Sequence, residues 1–172
     1  MKSLTKEQLT SLLNAALHTS KLHWLMLLVT YNHGLRASET ISLTSANIRD
    51  GFLTVQRLKG SKKTTHRLFA NESEALTALA AEKVSGGTTE RLFPICRQHF
   101  WRLVQKYGKQ AGIPQHLCHP HIAKHSIAMH SIHQAGIENV RTFLGHVSIA
   151  STGCYLKVDD DAASAAICAA LA

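Results

Sequence analysis

At 172 residues the chain is long enough for one compact domain with a hydrophobic core and too short for two ordinary ones. Its 19 Lys+Arg against 11 Asp+Glu leave a formal charge of +8, a balance that favours polyanions, nucleic acid first among them. No apolar run approaches the roughly 20 residues that span a bilayer, and the four scattered cysteines (Cys96, Cys118, Cys154, Cys168) form no Cys-x-x-Cys pair and follow no secretory leader, so reduced thiols in a cytoplasmic protein without membrane contact are expected.

Thr5 followed by Gln8 reads as a capping box, and Leu9, Leu12, Leu13, Ala16 and Leu17 recur behind it at helical spacing, so a first helix is expected to bury that stripe. Leu22 to Tyr31 is a denser apolar helix, and Gly34 stands where a left-handed cap would end it, which puts Arg36 just past a helix end. Phe52 to Gln56 and Thr65 to Phe69 are β-prone and flank the polar stretch Arg57 to Thr64, which predicts an antiparallel hairpin with a basic tip that reaches a ligand outside the core. Ser73 caps a helix to about Lys83, Gly86-Gly87 marks a loop, and Gln98 to Ala111 forms a helix ending near Gly112. Pro114 and Pro120 bracket an irregular crossing, then helices follow over His121 to Ala135 with Gly136 as the stop, Glu138 to Leu144, and Ser148 to Lys157. The Ala-rich tail from Ala162 has high helix propensity and little polar surface, so a partner protomer is one place to bury it. The pattern predicts an α+β fold, mainly helical with a small antiparallel hairpin or sheet, in a single domain over 1–172.

Cutting a phosphodiester without a metal needs a nucleophile, a proton donor for the leaving oxygen, and donors around the non-bridging oxygens as charge builds. The chain has a candidate for each, and each has a plainer reading. Tyr155 is one tyrosine among three, singled out by standing nine residues after His146. Arg36 could simply pair with Glu39 three residues on, and Lys59 is one of several lysines on a solvated hairpin. His121 and His125, four apart with Cys118 nearby, invite a metal reading, but no Glu adjoins the first His and Lys124 would oppose a cation. No metal or other cofactor is therefore expected.

Taken together, Gly34-Leu35-Arg36-Ala37-Ser38-Glu39, Lys59 in Arg57-Leu58-Lys59-Gly60, His121-x-x-Lys124, Leu144-Gly145-His146 and Tyr155 resemble the catalytic domain of the tyrosine recombinases, also called the phage integrase family. The resemblance runs from Leu4 to about Val158. The flanks of the first box and the hairpin look closest to the small fimbrial phase-variation invertases, which consist of little more than this domain. The N-terminal core-binding domain of most members is accordingly expected to be absent.

The resemblance implies that Tyr155 attacks the scissile phosphorus to give a 3′-phosphotyrosyl enzyme and a free 5′-hydroxyl, without ATP. It implies that Lys59 protonates the departing 5′-oxygen, Arg36 holds a non-bridging oxygen, His121 assists proton transfer from the tyrosine, His146 donates to the phosphorane, and Glu39 orients the cluster. Lys62, Lys63 and Arg67 are expected on the DNA. Lys124 departs from the family pattern, which has arginine there: charge is kept, but the two-pronged fork is lost. Losing one such donor costs on the order of 3 kcal/mol, about a hundredfold in rate, part of which lysine recovers, so a slow enzyme is expected. The implied partners are double-stranded DNA with specific recombination sites, three further protomers in a tetramer on DNA from a monomer without it, and accessory DNA-bending proteins. Residues 159–172 are expected to pack in trans. The competing readings are a DNA-binding protein that keeps the fold without cleavage, a type IB topoisomerase and, remotely, a metal-dependent hydrolase.

Overall fold

The computed structural model describes residues 3–58, 62–85, 90–148, 150–153 and 168. Helix α1 (Lys6–Thr19) begins at the expected capping box, in which the Thr5 hydroxyl accepts from the Gln8 amide at 3.2 Å and the Gln8 side chain accepts from the Thr5 amide at 3.0 Å. Leu9, Leu12 and Ala16 are buried, whereas Leu17 is 41% exposed. The inward stripe is narrower than the sequence suggested, because one residue's turn of about 100° carries Leu17 from beside Ala16 to the rim.

Helix α2 (Lys21–Asn32) is apolar around most of its circumference, and Leu25 to Thr30 are all buried, as befits a helix surrounded by others. It ends at His33, and Gly34 takes φ of +55° to turn the chain, so that Arg36 arrives at the N-terminus of the short helix α3 (Ala37–Ile41).

Three antiparallel strands follow in the order β1 (Ile48–Arg49), β2 (Phe52–Val55) and β3 (Thr64–Arg67), with Val55 opposite Thr64 and Phe52 opposite Arg67. The predicted hairpin is β2–β3. Strand β1 was not anticipated, although Asp50-Gly51, both with positive φ, forms the two-residue turn that joins it to β2. Alternation buries Leu53, Val55, Thr64 and His66 on one face.

Helices α4 (Ser73–Ser85) and α5 (Arg97–Gln110) pack on the core, the latter through Phe100, Leu103, Val104 and Tyr107. Ser73, expected as a cap, is the first helical residue, and Glu72 ahead of it is turned inward. A 3-10 turn (Gln115–Leu117) spans the proline-bracketed crossing. Helix α6 (His121–Ala135) stops at Gly136 as predicted, and is followed by α7 (Ile137–Phe143) and α8 (Ala150–Gly153). The Gly86-Gly87 loop, the rest of the helix expected to reach Lys157, and the Ala-rich tail apart from Cys168 lie outside the described residues.

The main core joins α1, α2, the sheet, α4, α5 and the start of α6. A second, small apolar cluster of Ala128, Ile132, Val140 and Leu144 holds α7 to α6. Among the described residues the fold is therefore mainly helical with one small sheet, and the described parts of the boxes singled out in the sequence meet where α2, α3, β2–β3, α6 and α7 converge. Among the described residues no helix is long and apolar enough to cross a membrane.

Candidate active site

Arg57 sits at the centre of this convergence. The sequence placed it at the start of an outward-reaching tip, but its side chain is fully buried. All five of its N–H groups are used: Nε donates to Thr64 Oγ1, Nη1 to the Gly34 carbonyl and Glu39 Oε2, and Nη2 to the carbonyls of His33 and Phe143, at 2.9–3.2 Å. The correction has a physical cause. Three helix-end carbonyls face inward here, and one guanidinium has the fork geometry to satisfy them together.

Glu39 is buried against it and accepts four hydrogen bonds, from the Arg36 and Leu58 amides, Arg36 Nη1 and Arg57 Nη1. Burial alone would raise its carboxyl, but the two amides and the two guanidiniums outweigh that and hold it below the ordinary carboxylate range. Arg36 is thereby oriented with its side chain 21% exposed. Among the described residues its Nη1 makes the side-chain hydrogen bonds, to Glu39 and the Leu58 carbonyl, and its Nε and Nη2 make none.

Lys124 is only 5% exposed and donates from Nζ to the Leu144 carbonyl at 3.2 Å. Burial, then repulsion from Arg36 and Arg57, lowers it to about 7, with Glu39 opposing. His146 stands two residues beyond that carbonyl and is held down to about 4 by burial and then by Lys124, Arg36 and Arg57, so it is a neutral imidazole at pH 7. Its Nδ1 meets the buried Thr152 hydroxyl at 2.9 Å. With that hydroxyl donating, Nε2 carries the ring proton. Arg141 braces the turn by donating to the His146 and Val147 carbonyls. His121, exposed at the start of α6, is lowered by burial and then by His119, Arg36, Lys124 and Arg97. The five described members of the predicted set, Arg36, Glu39, His121, Lys124 and His146, thus share one field.

Lys59 and Tyr155 lie outside the described residues. The residues bracketing Lys59 are anchored to the site: Leu58 donates to Glu39 and accepts from Arg36, and the Lys62 amide donates to the Gly145 carbonyl at 3.2 Å. Lys62 and Lys63 line a cavity of about 480 Å³ with Arg141 and His146. Arg67 is not brought there; it lies over the Phe52 ring at 5.7 Å on the sheet. Cys118, weighed as a metal ligand, is buried with its thiol directed at the Ile113 and Pro114 carbonyls. Among the described residues no group of three or more His, Cys, Asp or Glu could hold a metal ion.

Two glycines permit the close approach of the boxes. A Cβ on Gly34 would meet Leu144 Cδ2 at 2.4 Å, and one on Gly145, at φ +68°, would meet the Lys62 carbonyl at 2.9 Å and Arg57 Cγ at 3.1 Å. Gly145→Ala is expected to cost about 2 kcal/mol through the left-handed backbone and to push the hairpin off the His146 turn. Denaturant midpoints check the first effect, and protease sensitivity between residues 57 and 64 the second.

Sequence reasoning missed a buried polar chain behind the site. His66 Nε2 donates to the Phe143 carbonyl at 2.9 Å, so its Nδ1 is left to accept from His33 Nδ1 at 3.1 Å. His33 Nε2 then shares a proton with Glu72 Oε1 at 2.5 Å. Glu72 also accepts from the Phe69 amide and Asn32. Burial, followed by His33 and Arg57, lowers His66 to about 3. Unfolded, the same ring titrates near its ordinary value of about 6.5. Below that pH the unfolded chain binds a proton that the folded protein refuses, so stability falls as the pH drops, by on the order of 1 kcal/mol per pH unit from this group. Urea midpoints across this range should show the slope, and His66→Gln should reduce it.

The fold is shared with solved recombinases and integrases. It superposes with a TM-score of 0.80 on the XerH site-specific recombinase bound to difH substrate, at 19% identity over 97% of this chain and 54% of that one. With the catalytic domain of bacteriophage HP1 integrase the TM-score is 0.69, at 22% identity over 90% and 86%. The chain belongs to the phage integrase family, whose model matches residues 2–162. Curated relatives include tyrosine recombinase XerD of Pseudomonas putida, 36% identical over 149 residues, covering 77% of this chain and 48% of the relative. Another is tyrosine recombinase XerA of Pyrococcus furiosus, 30% identical over 174 residues, covering 91% and 57%. The chain spans about half the length of the curated relatives it matches.

Proposed function

We propose that this chain is the catalytic domain of a site-specific DNA recombinase that cuts and rejoins strands through Tyr155. The observation that carries the reading is the partly exposed Arg36 guanidinium, oriented by a fully engaged Glu39 and sharing its field with Lys124 and His146. It is a site for gathering negative charge around one phosphate. The Tyr155 oxygen forms its bond to phosphorus as the bond to the 5′-oxygen breaks. The tyrosine proton leaves with help from His121, and Lys59 delivers a proton to the 5′-oxygen. Arg36, Lys124 and the Nε2–H of His146 hold the non-bridging oxygens meanwhile. One phosphoester replaces another, so the reverse step needs no ATP.

The substrate in this reading is duplex DNA bearing paired recombination sites, acted on by four protomers that are monomers without DNA. The Lys62–Lys63 edge lies along the duplex. The test is covalent capture on nicked suicide duplexes tiled from the DNA flanking the coding region. A denaturant-stable adduct whose DNA-linked peptide contains Tyr155 is the expected result. Specific binding without any adduct would replace the reading with a DNA-binding protein that retains the fold, and Lys124, nearly enclosed and bonded to a backbone carbonyl, is the feature that favours that alternative.

A further inference from the structure

The Arg36–Lys124–His146 centre is flanked on both sides. The cavity lined by Lys62, Lys63, Arg141 and His146 opens on the hairpin side. On the other side a second cavity, about 500 Å³, is lined by Ala37, Arg97, Gln98, Trp101, His119 and His121. It touches the centre directly, because Ala37 follows Arg36 and His121 is a member of the site. Its composition is unlike that of a leftover surface dent. Phe93, Phe100 and Tyr107 are all fully enclosed, yet Trp101 on α5 is 49% exposed and turned to this cavity. Arg97 lies one helical turn before it on the same edge of α5. The helix carries Arg97, Arg102, Lys106 and Lys109 without one acidic residue, so no carboxylate on it competes for these cations.

A strand whose phosphate lies on Arg36 must continue past the centre in both directions, and only one direction is served by the hairpin. A flat aromatic face beside a guanidinium is the arrangement that grips a single nucleotide, with the ring taking the base and the cation its phosphate. Resting on the function proposed above, we infer that the cavity between α5 and the start of α6 receives the nucleotide adjoining the scissile phosphate, with its base against the Trp101 indole and its phosphate on Arg97. A base at a cut or gapped position is free to leave the stack. The site would therefore favour the broken strand over intact duplex and hold its end in place for rejoining.

The test uses the full chain with Trp24→Phe, which leaves Trp101 as its single tryptophan. The probes are a mixed-sequence duplex with a central gap and the same duplex intact, with binding followed independently by anisotropy of a labelled copy. The gapped duplex should quench Trp101 emission in step with binding and bind about fivefold more tightly than the intact one. Trp101→Ala should erase that preference and change intact-duplex affinity by no more than about twofold, whereas Arg97→Ala should weaken both by about threefold to tenfold and lessen their salt dependence. Unchanged Trp101 emission at saturating gapped DNA would overturn the inference and leave the proposed function standing, as would a preference that survives in Trp101→Ala. If anisotropy shows no binding of either duplex, the proposed function and this inference fall together.

Discussion

Arg57→Leu is expected to lower the unfolding free energy by about 3–5 kcal/mol and to abolish covalent adduct formation even where the protein remains folded. The substitution removes five buried donors at once. Among the described residues it leaves the carbonyls of His33 and Gly34 without a partner, that of Phe143 with His66 alone, and Glu39 with one cation instead of two. Burying an uncompensated carboxylate is the costly part. Two further variants separate stability from activity. Arg57→Lys keeps the charge but offers three donors from one point, so it should recover less than half of the loss. Arg57→Leu combined with Glu39→Leu removes the stranded charge and should recover stability well, yet stay inactive, because Arg36 then loses its carboxylate partner and keeps only the long bond to the Leu58 carbonyl. Equilibrium urea unfolding and the suicide-duplex assay are the two readouts. Recovery of both in the double variant would remove Glu39 from its orienting role.

Lys124→Arg is expected to speed adduct formation by about tenfold to a hundredfold, with the gain largest in alkali. Burial and two guanidiniums put the Lys124 ammonium near 7 in the free protein. Below that pH it is a cation that can bind phosphate; above it the amine is neutral and the donor set loses one charge. The kcat/KM profile, which reports the free enzyme, should therefore fall above about pH 7. A guanidinium remains charged throughout and grips two oxygens, so the arginine variant should lose that falling limb as well as react faster. A shared limb would assign it to another group, and equal rates at every pH would show a site adapted to lysine.

The contrast between Thr5 and Arg57 shows what could be read before folding. The capping box around α1 and the glycine stop of α6 are local signals, set by neighbours three or four residues away, and both emerged where expected. Arg57 was misread because its partners lie 7, 18, 23, 24 and 86 residues away, and nothing in a basic run marks the one member that turns inward. His33, His66 and Glu72 escaped for the same reason. Strand β1 had a usable signal in Asp50-Gly51 that its two-residue length obscured. Arg36, Glu39, His121, Lys124 and His146 were legible as a set through order and spacing, and the structure brings these five together. Thr152 and Arg141, which support His146, became visible only with the fold.

The small α6–α7 cluster has its own consequence. Among the described residues a small cluster of four buried apolar side chains, with Ile127, Met129, Ile137 and Phe143 packed on it, holds α7 to α6, and the ties of Phe143 to the main body come from Arg57 and His66, which bond its carbonyl, and from the His66 ring stacked on its own. Such a unit opens at a lower free energy than the molecule as a whole. Amide protons of Val140 to Leu144 should exchange with deuterium well before those of Leu25 to Val29, through undocking of one segment. His146 is attached to that segment, so assembly of the phosphate site would have an equilibrium of its own, separate from folding, that bound DNA could pull toward the docked form.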